Sequence, residues 1–116
     1  MKRGDVVLVR VPHASGQRGK KRLAVVVQSD AYTNTVPTLV IAEITKNLAL
    51  ANDPACLFLD LTLPEVQGLG LGMDSVVTCL RLTAVYADAI DRVLGSHSPA
   101  LLQKLDSCLK TALGLP

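Results

Sequence analysis

Gly19-Lys20-Lys21-Arg22-Leu23-Ala24-Val25-Val26-Val27-Gln28-Ser29-Asp30 is the stretch from which the fold is read. Glycine and cations run directly into an apolar segment rich in β-branched residues. Such side chains are stiff about χ1 and pack well on a pleated surface, so Leu23 to Val27 predicts a buried strand. A buried strand fixes whatever precedes it. Arg22 then stands at the strand's mouth, its guanidinium donors directed out of a loop. That planar, permanently charged fork suits a phosphate-rich ligand. The same residues also read as a solvated charged turn ahead of a core strand, and this stretch alone leaves both readings open.

Upstream, a Gly4-Asp5 turn leads into a first strand, Val6 to Val11, with Val7, Val9 and Val11 on one face and Val6, Leu8 and Arg10 on the other. The two strands are joined by Pro12 to Lys21, a loop by composition that is long for a hairpin, and long loops in compact domains tend to be functional or disordered. Downstream, Asp30 to Pro37 is turn-like. Thr38 to Ile44 predicts a central third strand, closed by the polar cluster Thr45-Lys46-Asn47. Cys56 to Leu61 predicts a fourth strand and Ser75 to Leu82 a fifth, with a Gly- and Pro-bearing loop over Leu63 to Met73 between them. A helical turn over Ala87 to Ile90 and a short strand over Arg92 to Leu94 follow. The last element is a helix: Ser98 suits its N-cap, Pro99 its first position and Gly114 the residue past its end. Leu101, Leu102, Leu105, Cys108, Leu109, Ala112 and Leu113 form its apolar stripe, suited to a lid on the barrel or a dimer surface. His97 is expected in a surface turn before that helix. Five or six short strands and one closing helix predict a mainly β, α+β domain: a small, partly closed barrel spanning residues 1–116 as one unit.

The chain has 116 residues, enough for one moderate core. Half of it is apolar but only 3% aromatic, so Val, Leu, Ile and Ala must build that core. No apolar run reaches the roughly 18 residues of a membrane span, and the first residues lack a signal peptide's apolar region. A soluble cytoplasmic protein is expected. Cys56, Cys79 and Cys108 form no CxxC pair and imply buried free thiols rather than disulfides or zinc. The net charge of +2 hides an asymmetry: residues 1–22 carry seven basic residues against Asp5 alone, the remainder five against nine acidic ones. A basic lobe on an acidic domain favours a localised polyanion site.

Candidates for chemistry stand at loop–strand junctions: Arg22, Thr45 and Arg81. There is no GxSxG elbow, P-loop or GxGxxG, and His13 and His97 are isolated, so neither a metal nor another cofactor is expected. His13, in the basic loop, is a candidate for touching substrate, since imidazole exchanges protons near neutral pH.

At this point the residues resemble a family. Arg3-Gly4-Asp5, Arg22 ahead of the Ala24-Val25-Val26-Val27-Gln28-Ser29-Asp30 strand, and Ile44-Thr45-Lys46-Asn47 are similar to the MazF/PemK toxins. Asp74-Ser75-Val76-Val77 and the ending from Ser98-Pro99 to Leu113-Gly114-Leu115 extend the resemblance over almost the whole chain. It implies an SH3-like barrel and a homodimeric toxin of a type II toxin–antitoxin pair. It further implies a metal-independent, sequence-specific endoribonuclease that cuts single-stranded RNA, including mRNA, and so inhibits translation and growth. The family's loop arginine matches Arg22, although Leu23 stands where proline usually follows, and its strand-end threonine or serine matches Thr45. Gln17 replaces a common glutamate and Arg81 a frequent glutamine, which leaves the general base unassigned.

The implied reaction is attack of a ribose 2′-OH on the adjacent phosphorus, giving a 2′,3′-cyclic phosphate and a 5′-hydroxyl; only RNA carries that nucleophile. Arg22 and Thr45 are the expected catalytic residues. Arg22 stabilises charge on the phosphoryl oxygens, with proton donation a secondary role, and Thr45 bonds a phosphate oxygen or orients the 2′-OH. His13, Gln17, Arg18, Lys20, Lys21, Lys46, Asn47 and Arg81 are the expected RNA contacts, with stacking limited to Tyr32, Tyr86 or arginine planes. The expected protein partners are a second copy of the chain and an antitoxin whose acidic, partly disordered segment lies across the basic groove. Two alternatives stand beside this: a gyrase-binding toxin like CcdB, and a family member that binds RNA without cutting it.

Overall fold

The computed structural model describes residues 1–10 and 20–116. Six strands form one antiparallel sheet: β1 (Asp5–Arg10), β2 (Lys21–Val26), β3 (Thr38–Thr45), β4 (Cys56–Leu59), β5 (Ser75–Tyr86) and β6 (Ile90–Ser96). Two single-turn helices, α1 (Asp30–Thr33) and α2 (Pro64–Gln67), lie in connections, and α3 (Pro99–Leu113) closes the chain. A 3-10 turn over Ala87–Ala89 separates β5 from β6, as the sequence predicted. The strand order is β4-β5-β3-β2-β1-β6. The sheet is curled but not closed, in agreement with the expected partly closed barrel.

Both faces of the central strands are covered, which is why β2 reads as an unbroken apolar run rather than an alternation. Val6, Val25, Ala42, Ile44 and Val77 point to one side and pack with Leu101, Leu105 and Cys108 of α3. Val7, Ala24, Val26, Leu39, Ile41 and Val85 point to the other and form a second, smaller core. The seam between the β4 and β6 edges is covered by the connection from β4 to β5, whose Val66 and Leu69 are fully buried. Contact there is so close that a Cβ on Gly95 of β6 would sit 2.4 Å from the carbonyl oxygen of Gly68. No side chain fits at that position.

The final helix follows its sequence signals closely. The Ser98 hydroxyl accepts from the Leu101 amide at 3.2 Å, and Gly114 adopts φ 69°, the left-handed conformation that ends helices at low cost. Its stripe caps the larger core, except that Leu113 stays 56% exposed. All three cysteines are buried and free. Burial pushes the Cys79 thiol up to about 12, with the neighbouring Cys108 and Cys56 adding to the shift.

Several local expectations change. β2 starts at Lys21 rather than Leu23 and ends at Val26, because beyond it the Gln28 side chain takes over the pairing. Its amide donates to the Thr38 carbonyl at 3.0 Å, and its oxygen accepts from the Val40 amide at 3.2 Å. β5 runs four residues past Leu82, and β6 is longer than predicted. His97 is not in a surface turn. It is 5% exposed, and its Nδ1 lies 2.8 Å from the Gly4 carbonyl oxygen, fastening the entry of β1 to the exit of β6.

Candidate active site

β3 carries the site because its second face changes character along its length. Leu39 and Ile41 belong to the smaller core, while Glu43 and Thr45, next on the same face, meet no apolar partner there. Pairing of Ala24 with Glu43, continued two residues outward, brings Arg22 level with Thr45. On the other side of β3, Glu43 pairs with Thr78 and Thr45 with Val76. Three adjacent strands therefore supply the wall of a cavity of about 240 Å³ lined by Arg22, Glu43, Thr45, Asn47, Thr78 and Arg81, among others.

Arg81 reaches that wall through an irregularity. Thr38 to Ala42 pair in steady register with Tyr86 to Leu82, but the next pair is Glu43 with Thr78. Cys79, Leu80 and Arg81 are thus extra residues on β5, a bulge of the kind that bends a strand and re-aims a side chain. The Thr78 hydroxyl accepts from the Leu80 amide at 3.3 Å inside the bulge, and Arg81 Nη1 lies 3.8 Å from Glu43 Oε2. With Arg81 71% exposed, that ion pair contributes little to stability, about 0.2–1 kcal/mol. Arg81 was expected at a loop–strand junction; it stands within a strand.

Thr45 and Arg22 are prepared in different ways. The Thr45 hydroxyl oxygen accepts from the Asn47 amide at 3.1 Å, which fixes the oxygen and leaves its proton for a ligand. The Asn47 side chain is itself held, accepting from the Ala49 amide at 3.0 Å. Among the described residues, Arg22 has no acid within ion-pair distance, so its donors stay open.

A second cavity, of about 550 Å³, shares Arg22, Glu43, Thr45 and Asn47 with the first and extends past Lys21, Lys46 and Arg92. The two form one trough with Arg22 and Thr45 at its middle. Lys46 and Asn47 line it as expected, and Arg92 and Glu43 join them unpredicted. Glu43 had a signal: it is the sole acidic residue between Asp30 and Asp53, two places before Thr45 in an apolar run. Lys21 lies 3.3 Å from Asp91, so its charge is partly engaged, and Lys20 is exposed beside the start of β2. Tyr32 and Tyr86 line neither cavity, which leaves base stacking to arginine planes. His13, Gln17 and Arg18 lie outside the described residues. Among those described, no group of three or more His, Cys, Asp or Glu is arranged to hold a metal, and no helix is long and apolar enough to cross a membrane.

Known proteins share this plan. Residues 2–113 match the family described as PemK-like, MazF-like toxin of type II toxin–antitoxin system. The chain is 34% identical over 106 residues to Endoribonuclease MazF6 of Mycobacterium tuberculosis, covering 90% of this chain and 88% of that one. Endoribonuclease MazF2 of Mycobacterium bovis gives the same figures. Among solved structures, a mycobacterial endoribonuclease in complex with its cognate antitoxin superposes with a TM-score of 0.78 at 19% identity, over 100% of this chain and 97% of the other. A MazE–MazF structure from Deinococcus radiodurans superposes at 0.75 and 18% identity, over 100% and 98%. At those identities the superpositions speak for the fold, and the family match and the mycobacterial relatives speak for kinship. The chain belongs to the PemK-like, MazF-like toxins of type II toxin–antitoxin systems.

Proposed function

We propose that this chain is a single-domain cytoplasmic toxin that cleaves single-stranded RNA by 2′-OH attack, with Arg22 and Thr45 as its catalytic pair. The observation that carries this is the meeting of an acid-free Arg22 with a Thr45 hydroxyl already braced by the Asn47 amide, at the centre of one trough. Two phosphoryl oxygens fit the Arg22 fork, and the negative charge that builds on them in the transition state is offset there. Thr45 donates its free proton to the same phosphate or holds the 2′-OH in line. Lys20, Lys21, Lys46 and Asn47 follow the backbone on either side, Arg81 adds donors over the bulge, and His13, Gln17 and Arg18 are proposed as further RNA contacts.

The same reading includes a homodimer and an antitoxin. An apolar groove of about 670 Å³ runs between β3 and the end of α3, walled by Val36, Val40, Leu82, Leu109, Leu113 and Leu115. A groove walled by exposed aliphatic side chains on a toxin protomer suits a second copy. The mycobacterial endoribonuclease of the same fold, solved in complex with its cognate antitoxin, supports an antitoxin as partner, and an acidic segment of it would compete with RNA for the cationic trough.

The test is incubation with a long single-stranded RNA in EDTA, with the new ends mapped by primer extension. Discrete cuts leaving 5′-hydroxyl ends are expected. Arg22→Ala should slow them by about 10²–10³-fold, the usual loss for one oxyanion donor. Thr45→Ala should slow them by about 10–100-fold, as for one hydrogen bond of about 1–3 kcal/mol. Unchanged cutting by Arg22→Ala would remove the assignment.

A further inference from the structure

A carboxylate in a groove meant for phosphates needs an explanation. Glu43 is, among the described residues, the only acid on the wall of either polar cavity, and it lines both. Its charge opposes a polyanion at close range, so a groove selected for RNA affinity alone would not keep it. Nor is it needed structurally: among the described residues its one ion-pair partner is Arg81, at 3.8 Å, and no hydrogen bond reaches its carboxylate. Its oxygens are open to accept. The side chain is 26% exposed, directed into the cavity from the same strand face as Thr45 and from one side of Arg22.

On the reading above, that the trough cleaves RNA, we propose that Glu43 is the general base and that Arg81, delivered by the bulge, is its positioning residue. The Glu43 carboxylate takes the proton from the 2′-OH as the 2′-oxygen forms its bond to phosphorus. The bond from phosphorus to the 5′-oxygen breaks, that oxygen takes a proton from water, and Glu43 returns its own proton to solvent. Atoms and charge balance with no further reactant. Arg81, 3.8 Å away, sets the direction of the carboxylate and offsets part of its repulsion of the incoming phosphate. The bulge explains how one strand supplies both neighbours of Glu43: Thr78 opposite it in the ladder, and Arg81 three residues on, folded back over the same carboxylate. The resemblance leaves the general base unassigned and does not single out Glu43, and Arg81 was expected as an RNA contact.

The experiment compares wild type, Glu43→Gln, Glu43→Asp and Arg81→Met for folding by circular dichroism, RNA affinity, and cleavage rate across pH. General-base loss costs about 10²–10⁴ in rate, so Glu43→Gln should fall by that factor while binding RNA at least as tightly as wild type. Its residual rate should lose the acidic limb of the pH profile. Glu43→Asp should recover part of the rate. Arg81→Met should lower the cleavage rate at saturating RNA by more than it weakens RNA binding, because the carboxylate loses the group that sets its direction. Wild-type rate and profile in Glu43→Gln would overturn the proposal, as would a wild-type rate at saturating RNA in Arg81→Met if Glu43→Gln failed to fold. If wild-type protein cut no RNA at all, the functional reading itself would fall, a separate outcome.

Discussion

Two grooves share the strands β3 and β5 and have almost nothing else in common. Val40 of β3 lines the apolar groove beside α3, and five residues on, Thr45 lines the polar trough. The first is walled by aliphatic side chains, and the ion pair at its rim is already satisfied, with Arg3 Nη2 2.6 Å from Asp106 Oδ1. The second is walled by groups left incomplete: Arg22 without an acid, a Thr45 hydroxyl with its proton free, and a carboxylate paired only at 3.8 Å. Apolar surface left in water asks for bulk and shape, whereas unfilled donors and acceptors ask for one particular chemistry. On the proposed function, assembly and cleavage sit at opposite ends of β3 and should respond to different substitutions.

Three measurements press on that separation. The largest effect is expected from Val36→Asp combined with Leu113→Asp. Both residues are well exposed in the protomer, at 40% and 56%, so the fold should survive, while two unpaired carboxylates enter any interface built on the groove. Self-association by sedimentation should weaken more than about 100-fold, and an undisturbed dimer would place the interface elsewhere. Next comes Lys20→Ala with Lys21→Ala, which should lower RNA affinity for all sequences alike and reduce the logarithmic salt slope by about 1–2. The Val36/Leu113 variant should keep the wild-type slope per protomer; a shared change in slope would mean the grooves are coupled.

The smallest effect concerns pH. Burial lowers the pKa of His97, only partly opposed by its bond to the Gly4 carbonyl. The folded state therefore favours neutral imidazole, and the unfolded chain binds more protons once the pH falls below the ordinary imidazole value of about 6.5. Stability is full above that value and declines as the pH drops through the lowered folded-state pKa. A modestly lower Tm at about pH 5.5 than at about pH 7.5 is expected, flattened in His97→Gln. Since His97 and Gly4 adjoin Arg3, this loosening belongs to the apolar side. An equal Tm at both values would deny His97 that role.

The sequence made some of this legible and hid the rest for identifiable reasons. The β2 run and the Ser98, Pro99 and Gly114 signals of α3 are local, so they could be read locally. Thr45 could be placed because a polar cluster ends an apolar strand. The bulge could not, since Cys79, Leu80 and Arg81 continue a plausible alternation and only the pairing with β3 shows three residues without partners. Glu43 was overlooked as one polar position in a strand read as central. His97 looked exposed because its two neighbours are serines, and its burial is decided by Gly4, more than ninety residues away.

The bulge also sets a chemical limit of another kind. Its first residue, Cys79, is turned into the core, with its thiol pushed up to about 12. Oxidants and alkylating agents attack the thiolate, and at neutral pH almost none is present there. The bulge that carries Arg81 is thus anchored in the core by a thiol that peroxide attacks slowly. Changes in cellular redox state should leave the set of the bulge, and the chemistry above it, as they were.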